Sequence, residues 1–242
     1  MSKPSDLPEP RGIILEVGAW FIVLAILLYI GSILVAVGNF AGDIGGSLPP
    51  AFCLIFPVVA AGRRGVTLEA MGLGRMHWGR ALAAVGIASI VIFPLFVVGY
   101  DVWLKLSGEL PGRLLAAYSK APVISAAWLV NLVFVQVFAV ALPEEVFYRG
   151  WMQSRLGIVF KTRFRVPGAD VGLHVVVTAA LFAVSHLVVT PSPARLAVFF
   201  PGLLFGYLRE RTGSVAAPAI FHALCNIALA LVQQFHLRTP PI

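Results

Sequence analysis

Seven residues of this chain have the types and spacing for acid–base chemistry. Glu144, Glu145 and Arg149 form a Glu-Glu-x-x-x-Arg run, Phe182 and His186 a Phe-x-x-x-His run, and His222 and Asn226 a His-x-x-x-Asn run. Successive helical residues turn by about 100°, so adjacent Glu144 and Glu145 face different sides. Glu145 and Arg149, four apart, share a face and pair, which makes Arg149 a structural clamp and leaves Glu144 without an intrahelical cation. A carboxylate in an apolar setting is a stronger base than one in water. Two imidazoles and an amide beside it would add proton-carrying and hydrogen-bonding groups.

All three runs lie inside long apolar stretches. The chain has 242 residues, of which 59% are hydrophobic and 12% charged, with mean hydropathy +0.91. Soluble domains carry about 25% charge, so lipid must solvate much of this surface. An ionisable side chain within a span costs about 2.5–3.5 kcal/mol on insertion scales and needs a partner or a wet cavity. The Glu144-Glu145-Arg149 group alone reads equally well as helix–helix glue, and a lone membrane histidine reads better as such glue. Their coincidence on separate spans points to convergence on one site.

The expected fold is all-α, a polytopic transmembrane bundle of about seven helices near 13–38, 47–62, 81–104, 122–151, 172–190, 194–210 and 214–234. Pro49, Pro50 and Pro57 weaken the second helix, and Pro143 should kink the fourth just before the acidic pair. With the N-terminus in the cytoplasm, twelve Lys and Arg residues fall on inner segments, among them Lys3, Arg64, Arg155 and Arg209. Five fall outside: Lys105, Arg113, Lys120, Arg195 and Arg238. That asymmetry favours N-in, C-out. The net charge of +7 therefore reads as topology signal and headgroup attraction, not as a nucleic-acid surface. The retained first helix leaves no room for a cleavable signal, and Glu16 belongs at its interfacial end.

Smaller features have bland readings. Val66 to Trp78 is amphipathic and should lie along the inner surface. Cys53 and Cys225 read as buried small hydrophobes. Asn131 and Gln136 read as interhelical hydrogen-bonders, and Gly202 with Gly206 as a close-packing face. His77, His174 and His236 are expected to be solvated or interfacial. Trp20, Trp78, Trp103, Trp128 and Trp151 fall mostly near span ends, and Tyr148 is split between site and interface.

In order and spacing, the three runs resemble the CAAX-prenyl-protease and bacteriocin-processing (CPBP, or Abi) intramembrane proteases. The stretches Gly206 to Ser214 and Ala217 to Phe221 add to the likeness. The resemblance covers roughly 122–234 as a catalytic core, after N-terminal helices and a surface loop at 1–121 and before a short tail at 235–242. It implies hydrolysis of a peptide bond in a membrane-associated protein or peptide, in a multi-pass protein of the bacterial inner membrane. In that reading Glu144 activates water, His186 assists, and His222 with Asn226 forms the oxyanion hole. Glu145, Arg149 and Phe182 support them, and Glu145 with Arg149 is a candidate holder of the substrate's terminal carboxylate. No cofactor is favoured. The rival is zinc held by Glu144, His186 and His222, although the His-Glu-x-x-His turn of many zinc peptidases is missing. The competing functions are a transporter using the same charges as an ion relay, and a non-catalytic immunity or binding protein. Oligomeric state, cleavage sequence and prenylation of the substrate are not encoded legibly.

Overall fold

A computed structural model describes residues 9–75, 77–106 and 124–237, with side chains through residue 234. The expected cations Lys3, Arg113, Lys120 and Arg238, and the side chain of His236, lie outside the described residues. Among the described residues there are seven helices: α1 (Pro10–Val37), α2 (Asn39–Arg63), α3 (Trp78–Leu106), α4 (Ala126–Val159), α5 (Leu173–Val189), α6 (Phe199–Thr212) and α7 (Ala216–Leu237). Each expected helix is found. The last one runs three residues into the stretch read as a tail.

Five of the seven, α1 to α4 and α7, are long and apolar enough to cross a membrane. The other two are short. At about 1.5 Å per residue, the 17 residues of α5 reach about 26 Å and the 14 of α6 about 21 Å, against a core of about 30 Å. Much of the bundle's outer face is apolar and exposed, as at Leu15, Ile90, Leu95 and Val130. That is the surface a bilayer would cover.

The α1–α2 hairpin turns at Gly38, whose φ of 77° suits glycine, and its helices touch through small residues. A Cβ at Gly31 would stand 2.7 Å from the Gly45 carbonyl oxygen, so the backbones meet there. Helix α2 persists through Pro49, Pro50 and Pro57 despite their missing donors. Neighbouring helices shield the freed carbonyls, which is how spans tolerate proline.

One pole gathers the basic residues. Glu16 at the start of α1 binds Arg64 at 2.8 Å and Arg155 at 2.7 Å. The Arg209 guanidinium donates to the Ala70 carbonyl, and the Val215 N–H to that of Gly72. Residues 66–75 are a run of turns beside α4 and α6, with Met71 buried and Thr67 to Ala70 exposed. Between α4 and α5 stands an unexpected hairpin, β1 (Phe164–Val166) with antiparallel β2 (Ala169–Val171). Pro167-Gly168 forms its turn, with Gly168 at φ 79°. Arg211 of α6 donates to the Pro167 carbonyl and fixes the hairpin to the same pole.

Two interfacial assignments are overturned. His174 is buried, and its Nε2 lies 3.2 Å from Glu210 Oε1, because the end of α4 around Gly157 and α6 pack against the start of α5. Trp151 is buried against Phe56 and Phe147 in the core rather than at a span end.

Candidate active site

Pro143 shapes the backbone that carries the two acids. It has no N–H to donate to Ala139, and its ring crowds the preceding turn. Helix α4 accommodates this with wide π-helical turns at Val135–Ala141 and Val146–Met152, on either side of Leu142–Glu145. The predicted kink is thus a pair of π segments, a feature common at functional sites.

The two glutamates part ways there. Glu145 has no exposed surface, whereas the Glu144 side chain is 27% exposed. Glu145 Oε1 accepts from Arg149 Nη1 at 2.8 Å, the ion pair expected from the spacing, and lies 2.9 Å from His222 Nδ1. Arg149, also without exposed surface, donates through Nη2 to the Gly202 carbonyl at 3.0 Å. Its Cζ sits 4.4 Å from the Phe182 ring centroid and 5.1 Å from that of Phe205. A desolvated charge pair is tolerable only with such extra partners, here a carbonyl, an imidazole and two π-faces.

His222 is held on three sides. Its ring stacks on Phe205 at 4.7 Å and meets the edge of Phe182 at 5.7 Å, while Nδ1 faces Glu145. That leaves Nε2 aimed at Glu144 Oε2, 3.9 Å away and beyond direct hydrogen-bond reach. Glu144 Oε2 is buried and makes no hydrogen bond to any described residue. A carboxylate oxygen in that state needs a donor from water or substrate.

Glu144 opens onto a cavity of about 520 Å³ between α1, α2, α4 and α5, which Tyr148, Ser185 and His186 also line. His186 Nδ1 lies 2.8 Å from the Phe182 carbonyl. A carbonyl only accepts, so Nδ1 carries the proton and Nε2 is the free lone pair. The Phe182-x-x-x-His186 spacing is therefore a local hydrogen bond that sets the tautomer.

Asn226 is placed differently from expectation. Its Nδ2 donates to Gln136 Oε1 at 2.9 Å, joining α7 to α4, and it is not among the residues lining the cavity. Among the described residues no three His, Cys, Asp or Glu side chains are grouped to hold a metal ion. Tyr148 and Ser185 are the lining residues that spacing alone did not identify. Tyr148 fills the last unspecified position of the Glu-Glu-x-x-x-Arg run, directly before Arg149; Ser185 precedes His186.

A second polar set continues from the site toward the basic pole. Gln153, one turn past Arg149, donates to the Gly206 carbonyl at 3.1 Å and to Glu210 Oε1 at 2.8 Å. Arg149 and Gln153 thus bind the carbonyls of Gly202 and Gly206 in turn. Gly206 is needed for that approach: a Cβ there would stand 2.6 Å from Val175 Cγ1 and 2.9 Å from Gln153 Oε1. At the basic pole, burial alone would raise the Glu210 carboxyl. Hydrogen bonds from His174 and Gln153, with the nearby His174 and Arg209 charges, hold it below its ordinary value instead.

Residues 126–228 match the family model described as type II CAAX prenyl endopeptidase Rce1-like. No curated protein and no solved structure matches the chain significantly. The matched segment contains α4 to α6 and most of α7, with all three motif runs and the Glu145–His222 contact that joins its two ends. Over this segment, which is helical and carries two of the five long apolar spans, the chain is similar to the Rce1-like family of CAAX proteases.

Proposed function

We propose that this protein is an intramembrane endopeptidase that hydrolyses a peptide bond of a membrane-associated protein or peptide, with Glu144 as general base. The observation that carries the reading is the position of Glu144. Its unpaired carboxylate stands where the cavity meets the buried Arg149–Glu145–His222 chain.

The steps follow from the donors and acceptors. A water held between Glu144 and the free Nε2 of His186 gives its proton to Glu144, while its oxygen attacks the scissile carbonyl carbon. The displaced π pair resides on the carbonyl oxygen as an oxyanion. His222, whose Nδ1 is engaged by Glu145, is charged when Nε2 also holds a proton, and Nε2–H then donates to that oxyanion. One such donor is worth about 2.7–4 kcal/mol in the transition state. Collapse breaks the C–N bond, and the proton on Glu144 passes to the leaving amine. Asn226 joins as a second donor only if a rotamer change frees it from Gln136, so its primary role in this arrangement is to position α7.

The test uses purified protein in lipid nanodiscs with a lipid-anchored peptide in heavy-oxygen water. The expected product has one heavy oxygen in its new carboxylate, formed at a rate that a chelator leaves unchanged. Loss of activity on chelation with recovery on adding zinc would replace the metal-free mechanism. Ion flux in proteoliposomes without cleavage would favour the transporter instead.

A further inference from the structure

A second cavity, of about 510 Å³, lies along the α1–α2 hairpin and shares no lining residue with the one that Glu144 opens onto. Glu16, Arg63 and Arg64 stand at its mouth on the basic pole, and Leu27 and Leu48 line its far end. From Glu16 to Leu27 along α1 is about 16 Å of helix, and the apolar stretch of α2 from Leu48 to Val59 is equally long. Half of a hydrocarbon core is about 15 Å. The groove is therefore one leaflet deep, which is the reach of a lipid chain. A partner's transmembrane helix would need a face of twice that length.

The floor is formed in advance. Trp20 packs on Phe56 with ring centroids 4.2 Å apart, Phe52 stacks on Phe56 at 5.1 Å, and Phe56 meets buried Trp151 of α4 edge-on at 5.0 Å. Rings tied to the core in this way need no ordering when a ligand arrives. Above them Trp20, Ile55 and Val59 stay exposed.

Charge at the mouth is unbalanced. Glu16 is the sole acid among the lining residues, and it already binds Arg64 and Arg155. Arg63 is exposed and joins no ion pair among the described residues. One carboxylate thus faces three guanidiniums, at the pole where an anionic headgroup is attracted. Guanidinium groups match phosphate oxygens in pairs, so an anion completes this end as an alkyl chain completes the other.

We infer that the α1–α2 groove binds an anionic phospholipid from the leaflet at the basic pole. Arg63 and Arg64 hold its phosphate, and one acyl chain lies over the aromatic floor toward Leu27 and Leu48. The inference stands whether or not Glu144 activates water.

Photolabelling tests it. Full-length protein in phosphatidylcholine nanodiscs receives a trace of a lipid with a diazirine in one acyl chain, under a phosphatidylglycerol or a phosphatidylcholine headgroup. Peptide mass spectrometry after irradiation should find the glycerol lipid on the groove peptides of α1 and α2 about fivefold more often, the worth of one arginine near an anionic headgroup. Arg63→Gln with Arg64→Gln should bring the two lipids within about twofold, while Arg63→Lys with Arg64→Lys keeps most of the preference. Glu16 retains Arg155 in both, and an unchanged melting temperature checks the fold. Ala51→Phe, at an exposed position of the wall, should clear the groove of adducts with both arginines intact. Equal labelling by the two headgroups, or a preference that survives Arg63→Gln with Arg64→Gln, overturns the site. Adducts that survive Ala51→Phe reduce it to diffuse attraction by the basic pole. Groove peptides that neither lipid labels mean that a protein, not a lipid, covers this face.

Discussion

Glu144 and Glu145 are neighbours in sequence with opposite physical duties, and substitution should separate them. Arg149→Met leaves the Glu145 carboxylate buried with His222 as its remaining partner. Removing one member of a buried pair costs about 3–5 kcal/mol, so thermal unfolding in detergent should show a large drop for Arg149→Met. Glu144→Gln keeps every hydrogen bond the structure shows and should unfold like wild type. Glu210 gives a pH signature of its own. Its carboxyl lies below the ordinary range when folded, so it stabilises the fold above that range. That contribution disappears as pH falls through the folded value. Glu210→Gln should therefore flatten the acid side of a melting-temperature profile. The i, i+4 pairing of Glu145 with Arg149 was legible in the chain, because helix geometry alone dictates it. The contact between Glu145 and His222 was not, since 77 residues separate them and only packing decides which acid the imidazole meets.

The helices were legible as apolar runs, but their internal geometry was not. Pro143 signalled a break, while the π turns that absorb it depend on what α2 and α7 press against α4. Pro143→Ala should let α4 regularise, turning Glu144 away from the cavity. Activity should fall at least tenfold while the melting temperature holds or rises, readable by pairing a cleavage assay with calorimetry. Gly206→Val should act at the α5–α6 contact, where even a Cβ meets Val175 and Gln153. Overpacking there costs about 1–3 kcal/mol and displaces the carbonyls that hold Arg149 and Gln153. The β1–β2 hairpin had a local signal in Pro167-Gly168, but three-residue strands between spans are too short to stand out by alternation. His174 was misread because proximity to a helix start says nothing about α4 and α6 packing against it.

For the whole molecule, the basic residues collect at one pole and the cavity extends toward the other. Positive-inside reasoning then puts the hairpin in the cytoplasm and Arg195 on the outer side. A membrane-impermeant maleimide applied to intact cells should label a cysteine placed at Ser192 and spare one placed at Asp170. The reverse pattern would invert the topology without disturbing the site. Substrate would accordingly reach Glu144 from the end remote from the basic pole.

The account stands on Glu144 as the group that activates water. Its most direct test is single-turnover cleavage of a lipid-anchored peptide by wild-type protein and by Glu144→Gln, with peptide binding measured in parallel. General-base catalysis is typically worth about a hundredfold to ten-thousandfold, so the variant should bind normally and cleave at least about a hundredfold more slowly. Cleavage within about threefold of wild type would contradict the mechanism.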